Sequence, residues 1–313
     1  MATHNLDRRR IPEDAAVSRW TAPDGWVCRL VERRQPAGAP VRGSLLFAGG
    51  RGDFVEKYLE AQDHWFRRGW NVTAFDWRGQ GASREPREDA RVDSFDSMVD
   101  DLEALLAHWR VEEAGPFVAI GHSMGGHLLL RTLAERRPRL DCAVLVAPML
   151  GINSTPLPPF AAASTAAVMT LFGWGGQPAW QQPAAPPPPG SLRQGILTSS
   201  KARYLDELWW WEREPGYSLG APSWAWLKAA YASCDRLTSE ILRKVDCPVL
   251  LVGTQTDRLV SSRAIRRSAS ALPKAELLMF EDAGHELLRE ADPVRVKALD
   301  AIDSFLERFA ARR

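Results

Sequence analysis

The sequence predicts an α/β protein: a mostly parallel sheet flanked by helices, with a helical cap inserted. Three observations carry that expectation. Short apolar runs alternate with longer segments of helical period, as repeated βα units do. One apolar run passes through a Gly-x-Ser-x-Gly turn into a helical segment. The alternation breaks only once, over about a hundred residues of different composition.

The expected strands end in Gly, Pro or Asp clusters and fall at 26–32 (WVCRLVE), 43–48 (GSLLFA), 70–76 (WNVTAFD), 117–121 (FVAIG), 143–147 (AVLVA), 248–253 (PVLLVG) and 275–281 (AELLMFE). The helical period is clearest over 94–109, where Phe95, Met98, Val99, Leu102, Leu105, Leu106 and Trp109 form one apolar stripe that should pack on the sheet. A second helix is expected at 126–136. The core is assigned to 1–147 and 236–313, and the inserted cap to 148–235. From Cys142 to Leu192 there are 51 consecutive residues without Asp, Glu, Lys or Arg, although these make up 25% of the chain. That stretch holds a helix candidate at 160–172, entered through Pro158 and Pro159, and a PAAPPPPG run that reads as a stiff extended connector. Seven of the 13 Trp residues lie in the insertion.

Composition sets outer limits. With 313 residues, a net charge of +1 and 45% hydrophobic residues, the chain reads as an ordinary globular protein with a sizeable core. The balanced charge argues against nucleic acid as a partner, which calls for a basic surface. Cys28, Cys142, Cys234 and Cys247 are too scattered for a metal or redox pair, and the N-terminus lacks the apolar core of a secretory signal, so a cytoplasmic location is expected. The weakly apolar 160–176 stretch is shorter than the ~20 residues of a spanning helix. Peripheral contact with the inner face of a membrane stays open, as does the oligomeric state.

The strongest chemical signal is Gly121-His122-Ser123-Met124-Gly125. The motif alone is modest evidence, but its position between an apolar strand and a helix is what a nucleophile elbow requires. A serine hydroxyl needs a base within hydrogen-bond reach. The order Ser, acid, His leaves His127 and His285 as candidates; His127 lies on the same helix as Ser123 and reads as structural, so His285 is the expected base. Asp257 follows the apolar run PVLLVG and is the expected acid, whereas Asp246 precedes that run and belongs at the wrong end of the strand. For the oxyanion, the N–H groups of Met124 and of Arg51, in the loop Gly49-Gly50-Arg51-Gly52-Asp53, are the expected donors. That loop lacks the spacing of a dinucleotide fingerprint. No cofactor and no metal are expected.

With these residues the chain resembles the α/β-hydrolase superfamily, in the branch of monoacylglycerol lipases and bacterial lysophospholipases. The likeness rests on GGRGDF, DWRGQGAS, GHSMGG, GTQTDRLV and AGHELLRE, with LGAPSWAWLKAAY in the cap similar to the bacterial lysophospholipase type. It implies the α/β-hydrolase fold and a serine hydrolase acting on carboxylic esters of a lysophospholipid or monoacylglycerol through an acyl-enzyme. Relatives commonly open the oxyanion loop with His-Gly; here the first position is Gly49, so a buttressing side chain is missing. An uncharged, Trp-rich cap suits an acyl chain, each buried methylene contributing roughly 0.8 kcal/mol. Gly50, His122, Trp209 and Trp224 are the candidate substrate-binding residues. Two other readings stand beside this one: a proline iminopeptidase-like peptidase holding a free amine with Asp206, Glu207, Glu212 and Glu214, and a hydrolase-fold binding protein without turnover. Dehalogenase and epoxide hydrolase chemistry would need Asp at position 123.

Overall fold

The computed structural model describes residues 6–84, 94–181 and 186–311. At its centre is an eight-stranded sheet formed by β1 (Ala16–Thr21), β2 (Val27–Arg33), β3 (Gly43–Ala48), β4 (Trp70–Phe75), β5 (Phe117–His122), β6 (Cys142–Val146), β7 (Val249–Thr254) and β8 (Ala275–Phe280). The spatial order is β1-β2-β4-β3-β5-β6-β7-β8. The β1–β2 and β2–β4 pairs are antiparallel and every other pair is parallel. Seven of these strands coincide with the expected apolar runs to within a residue or two. β1 was not anticipated. Only Trp20 of its six residues is buried, so an exposed edge strand leaves no apolar run to read.

The helices are α1 (Leu59–Phe66), α2 (Asp96–Glu112), α3 (Met124–Glu135), α4 (Pro159–Met169), α5 (Leu192–Leu197), α6 (Lys201–Arg213), α7 (Trp224–Asp235), α8 (Ser239–Leu242), α9 (Ser262–Ala271) and α10 (Asp292–Phe309). The central strands bury both faces. Leu46, Ala119 and Leu145 join one apolar core with α2, α3 and α9, while Leu45, Phe47, Val118, Ile120 and Val144 join a second with α1 and α10. Both periods of side-chain direction are at work here, since alternate strand residues serve opposite faces. Every residue of the apolar stripe read over 94–109 is buried.

Five of these helices, α4 to α8, lie between β6 and β7, and the first four of them, α4 to α7, fall within residues 148–235, the span the sequence marks as an insertion. α4 starts with Pro159 at its first turn, where the missing N–H costs nothing, and continues as one π turn, Thr170–Trp174, broken at Gly173 (φ 86°). Its outer surface is apolar: Phe160 is 75%, Leu171 83% and Phe172 70% exposed. The first part of the PAAPPPPG run lies outside the described residues. No helix among the described residues is long and apolar enough to cross a membrane.

Candidate active site

β5 and α3 are separated by Ser123 alone, which takes a positive φ (51°, ψ −117°) uncommon for a residue with a side chain. Such backbone strain costs on the order of 1–3 kcal/mol and persists only where the surroundings impose it. They do so here. Ser123 N–H donates to the Val146 carbonyl and the Ser123 carbonyl accepts from Met149 N–H. A Cβ on Gly121 would lie 2.6 Å from Gly126 Cα, and one on Gly125 would collide with the Gly49 and Ala48 carbonyls, so the turn closes only with glycine at both positions. The Ser123 side chain is thus held out at the start of α3, where helix N–H groups concentrate positive potential.

Three side chains from separate loops converge at this point. Ser123 Oγ lies 2.9 Å from His285 Nε2, and His285 Nδ1 lies 2.8 Å from Asp257 Oδ2. Asp257 Oδ1 accepts from the N–H groups of Leu259 and Val260, which leaves Oδ2 free for the ring. With a carboxylate facing Nδ1, that nitrogen carries the proton and Nε2 accepts from the serine hydroxyl. Burial opposes charge on both partners, but their attraction prevails: the Asp257 carboxyl lies below, and the His285 imidazolium above, its ordinary pKa. The histidine loop hangs on the insertion. His285 N–H donates to the Ile196 carbonyl and Glu286 N–H to the Leu197 carbonyl, both at the end of α5.

The Gly49–Asp53 loop runs beside Ser123. A Cβ on Gly50 would lie 2.9 Å from Ser123 Cβ. Gly50 N–H donates to Asp53 Oδ2, Gly52 N–H to the Gln80 side chain, and Trp77 Nε1–H to the Gly49 carbonyl. Arg51 N–H has no acceptor among the described residues, and Met124 N–H is among those a helix start leaves without an internal partner. The buttress missing at Gly49 is supplied differently here: Asp53 fills that space, since a Cβ on Gly49 would come within 2.9 Å of Asp53 Cβ. Burial pushes the Asp53 carboxyl up, but Lys57 and His122 hold it well below the carboxylate range.

Lys57 contacts the carboxylates of Asp53, Glu207 and Glu286, and Glu207 in turn faces Arg193 and Arg289. All six groups are largely or fully buried apart from Arg193, whose side chain is partly exposed. This network joins α6 of the insertion to the loop beneath Ser123. Sequence reading missed Lys57 and Trp226; the i,i+4 spacing of Asp53 and Lys57 is the one signal that hinted at a pair.

The candidate substrate-binding residues fare differently. Gly50 borders Ser123, although its N–H is engaged. His122 is buried rather than set in the cleft wall: Nδ1 lies 2.9 Å from both Tyr58 Oη and Asp53 Oδ2, and its ring is 5.0 Å from that of His285. Trp209 sits on the face of α6 away from Glu207, its ring covered by Arg9 and Arg213, so a helix turn of about 200° between the two positions carries it off the site. Trp224 opens α7, where its N–H donates to the Gln177 carbonyl. The ring that reaches the Gly49–Asp53 loop is Trp226, 5.2 Å from the Arg51 guanidinium and packed on Phe95. His127 is fully buried, 2.6 Å from Ser233 Oγ, and burial together with Arg131 drives its pKa down to about 3, which keeps it neutral.

Comparison with known proteins bears on the whole chain. The probable lysophospholipase L2 of Haemophilus influenzae is 27% identical over 286 residues, covering 87% of this chain and 86% of the relative. Lysophospholipase L2 of Escherichia coli K12 is 29% identical over 284 residues, covering 84% and 80%. Among solved structures, a soluble variant of monoglyceride lipase from Saccharomyces cerevisiae in complex with a substrate analog superposes with a TM-score of 0.75 at 18% identity, over 98% of this chain and all of the other. That likeness shows the α/β-hydrolase fold. Residues 39–292 match the family model described as Serine aminopeptidase, S33, and the chain belongs to that family.

Proposed function

We propose that the protein is a serine hydrolase that cleaves the carboxylic ester of a lysophospholipid or monoacylglycerol through an acyl-enzyme intermediate, with Ser123 as nucleophile, His285 as base and Asp257 as its orienting acid. The observation that carries this reading is the pair of hydrogen bonds Ser123–His285–Asp257 at the end of a strained elbow. Ser123 Oγ attacks the ester carbonyl carbon while its proton passes to His285 Nε2; Asp257 stabilises the imidazolium and keeps its charge throughout. The N–H groups of Arg51 and Met124 receive the oxyanion. Collapse expels the alcohol, which takes the proton from His285, and a water activated by the same ring releases the fatty acid.

The named relatives are lysophospholipases, which favours a lipid ester over a peptide. The charges in the insertion favour it too. An aminopeptidase site would offer a carboxylate to a substrate ammonium, but Glu207 faces three cations, Asp206 is bound by Arg8 and Arg9, and Glu212 and Glu214 are exposed. We assign residues 148–235 to a cap over a core of 1–147 and 236–313, with the exposed Phe160, Leu171 and Phe172 meeting a membrane surface peripherally. Four free cysteines are consistent with a cytoplasmic location at the inner face. The test is Ser123→Ala measured on 1-decanoyl-glycerol and on a proline arylamide. Loss of ester turnover, with no arylamide turnover by the unsubstituted protein, is expected; ester turnover that survives the substitution would overturn the mechanism.

A further inference from the structure

Many of the basic side chains around the site are neutralised by carboxylates. Lys57, Arg193 and Arg289 face Asp53, Glu207 and Glu286; Arg29 faces Glu56 and Asp76; Arg203 faces Glu60 and Asp292. Arg51 has no carboxylate partner among the described residues. Its guanidinium donates from Nη1 to the Gly220 carbonyl at 3.0 Å and lies on the Trp226 ring. Burial alone, with no counter-charge to offset it, draws its pKa down to about 10, so it remains a cation at neutral pH.

From this we infer that the Arg51 guanidinium binds the phosphate of the substrate's leaving group and so selects lysophospholipids over neutral monoacylglycerols. The inference rests on the ester hydrolase reading above. Arg51 would then serve twice, its backbone N–H turned to the oxyanion and its side chain to the head group. The lengths agree. About six covalent bonds separate the Arg51 backbone nitrogen from its Cζ, and about six separate the ester carbonyl carbon from the phosphorus of a 1-acyl lysophospholipid. With Nη1 on the Gly220 carbonyl and the guanidinium over the Trp226 ring, Nε and Nη2 are left as the two-pronged donor that matches two phosphate oxygens. Trp226 and Gly220 belong to the span assigned to the cap, so the cap would orient the cation without cancelling its charge. A guanidinium placed only to pin the cap would bind both ligand classes alike.

The experiment measures equilibrium binding to the Ser123→Ala protein, so that it does not depend on turnover. The ligands are 1-decanoyl-lysophosphatidylglycerol and 1-decanoyl-glycerol, both below their micellar concentrations. The quantity read is the ratio of the two Kd values, with and without Arg51→Met. A preference for the phosphate ligand that falls roughly tenfold on substitution, and shrinks as salt is raised, is expected. A change in the ratio of less than threefold overturns the inference. Arg51→Lys keeps the charge but not the fork, and should retain an intermediate preference. Should Arg51→Met fail to fold, the unsubstituted protein decides: glycerophosphoglycerol must inhibit its p-nitrophenyl ester hydrolysis more strongly than glycerol does, and equal inhibition overturns the inference. Loss of the ester hydrolase reading would appear separately, as ester turnover that survives Ser123→Ala.

Discussion

Glu207→Gln places one uncompensated charge in the network under the active site. In the native protein Lys57, Arg193 and Arg289 face Asp53, Glu207 and Glu286, three cations against three carboxylates. Burial pushes the Glu207 carboxyl up, but Lys57, Arg193 and Arg289 pull it further the other way, to about 2 from an ordinary 4.5. A depressed carboxyl stabilises the fold above its unfolded pKa, and that contribution is lost as pH falls toward the folded value. The gap corresponds to about 3 kcal/mol at neutral pH. Breaking a buried pair by removing one partner costs roughly 3–5 kcal/mol, which agrees. For a chain of this size the melting temperature should fall by about 6 °C. Differential scanning calorimetry at pH 7.5 and pH 5.5 checks it, and the loss should be nearly the same at both, since each lies well above the unfolded pKa. A loss below about 1 kcal/mol would refute the balanced-charge account. The same variant also bears on substrate class, because a peptidase relying on Glu207 would lose arylamide turnover selectively.

Two further outcomes are expected. His285 is raised above its ordinary 6.5 because Asp257, with Glu286 and Asp53, outweighs burial, so the acid limb of kcat/KM should have its midpoint above pH 6.5. Asp257→Asn should move that limb to lower pH and cut kcat by about three orders of magnitude or more; a limb left in place would show that another group titrates. Because the folded pKa of His285 is raised, its contribution to stability is complete below the unfolded value and disappears as pH rises through the folded one. The second outcome concerns the lipid surface. Leu171→Asp with Phe172→Asp should lower partitioning onto phosphatidylcholine vesicles roughly tenfold in a sedimentation assay, and unchanged partitioning would remove the membrane role of this segment.

Much of the sheet was legible because its central strands are buried on both faces, where a strand must be a continuous apolar run; β7 reads as VLLVGT and all six residues are buried. β1 escaped for the opposite reason. Ser123, Asp257 and His285 were legible from chain order and from their place after strands, a consequence of parallel topology that turns position in sequence into position at one rim. What was not legible depends on contacts between distant segments. Composition could not reveal that Trp209 turns toward Arg9 while Trp226 meets Arg51, because both lie in helices whose rotation about their own axes is set by packing. The role of Asp53 under Gly49 was hidden for the same reason.

The two carbonyls of Ile196 and Leu197 that accept from His285 and Glu286 make the end of α5 a bracket for the imidazole that faces Ser123. Trimming the insertion back to a short linker would therefore disable the protein even toward a tiny ester such as an acetate, which has no chain or head group to recognise. Any foreign segment put in place of residues 148–235 would have to present two such carbonyls at the same spot to keep the His285 loop where it lies.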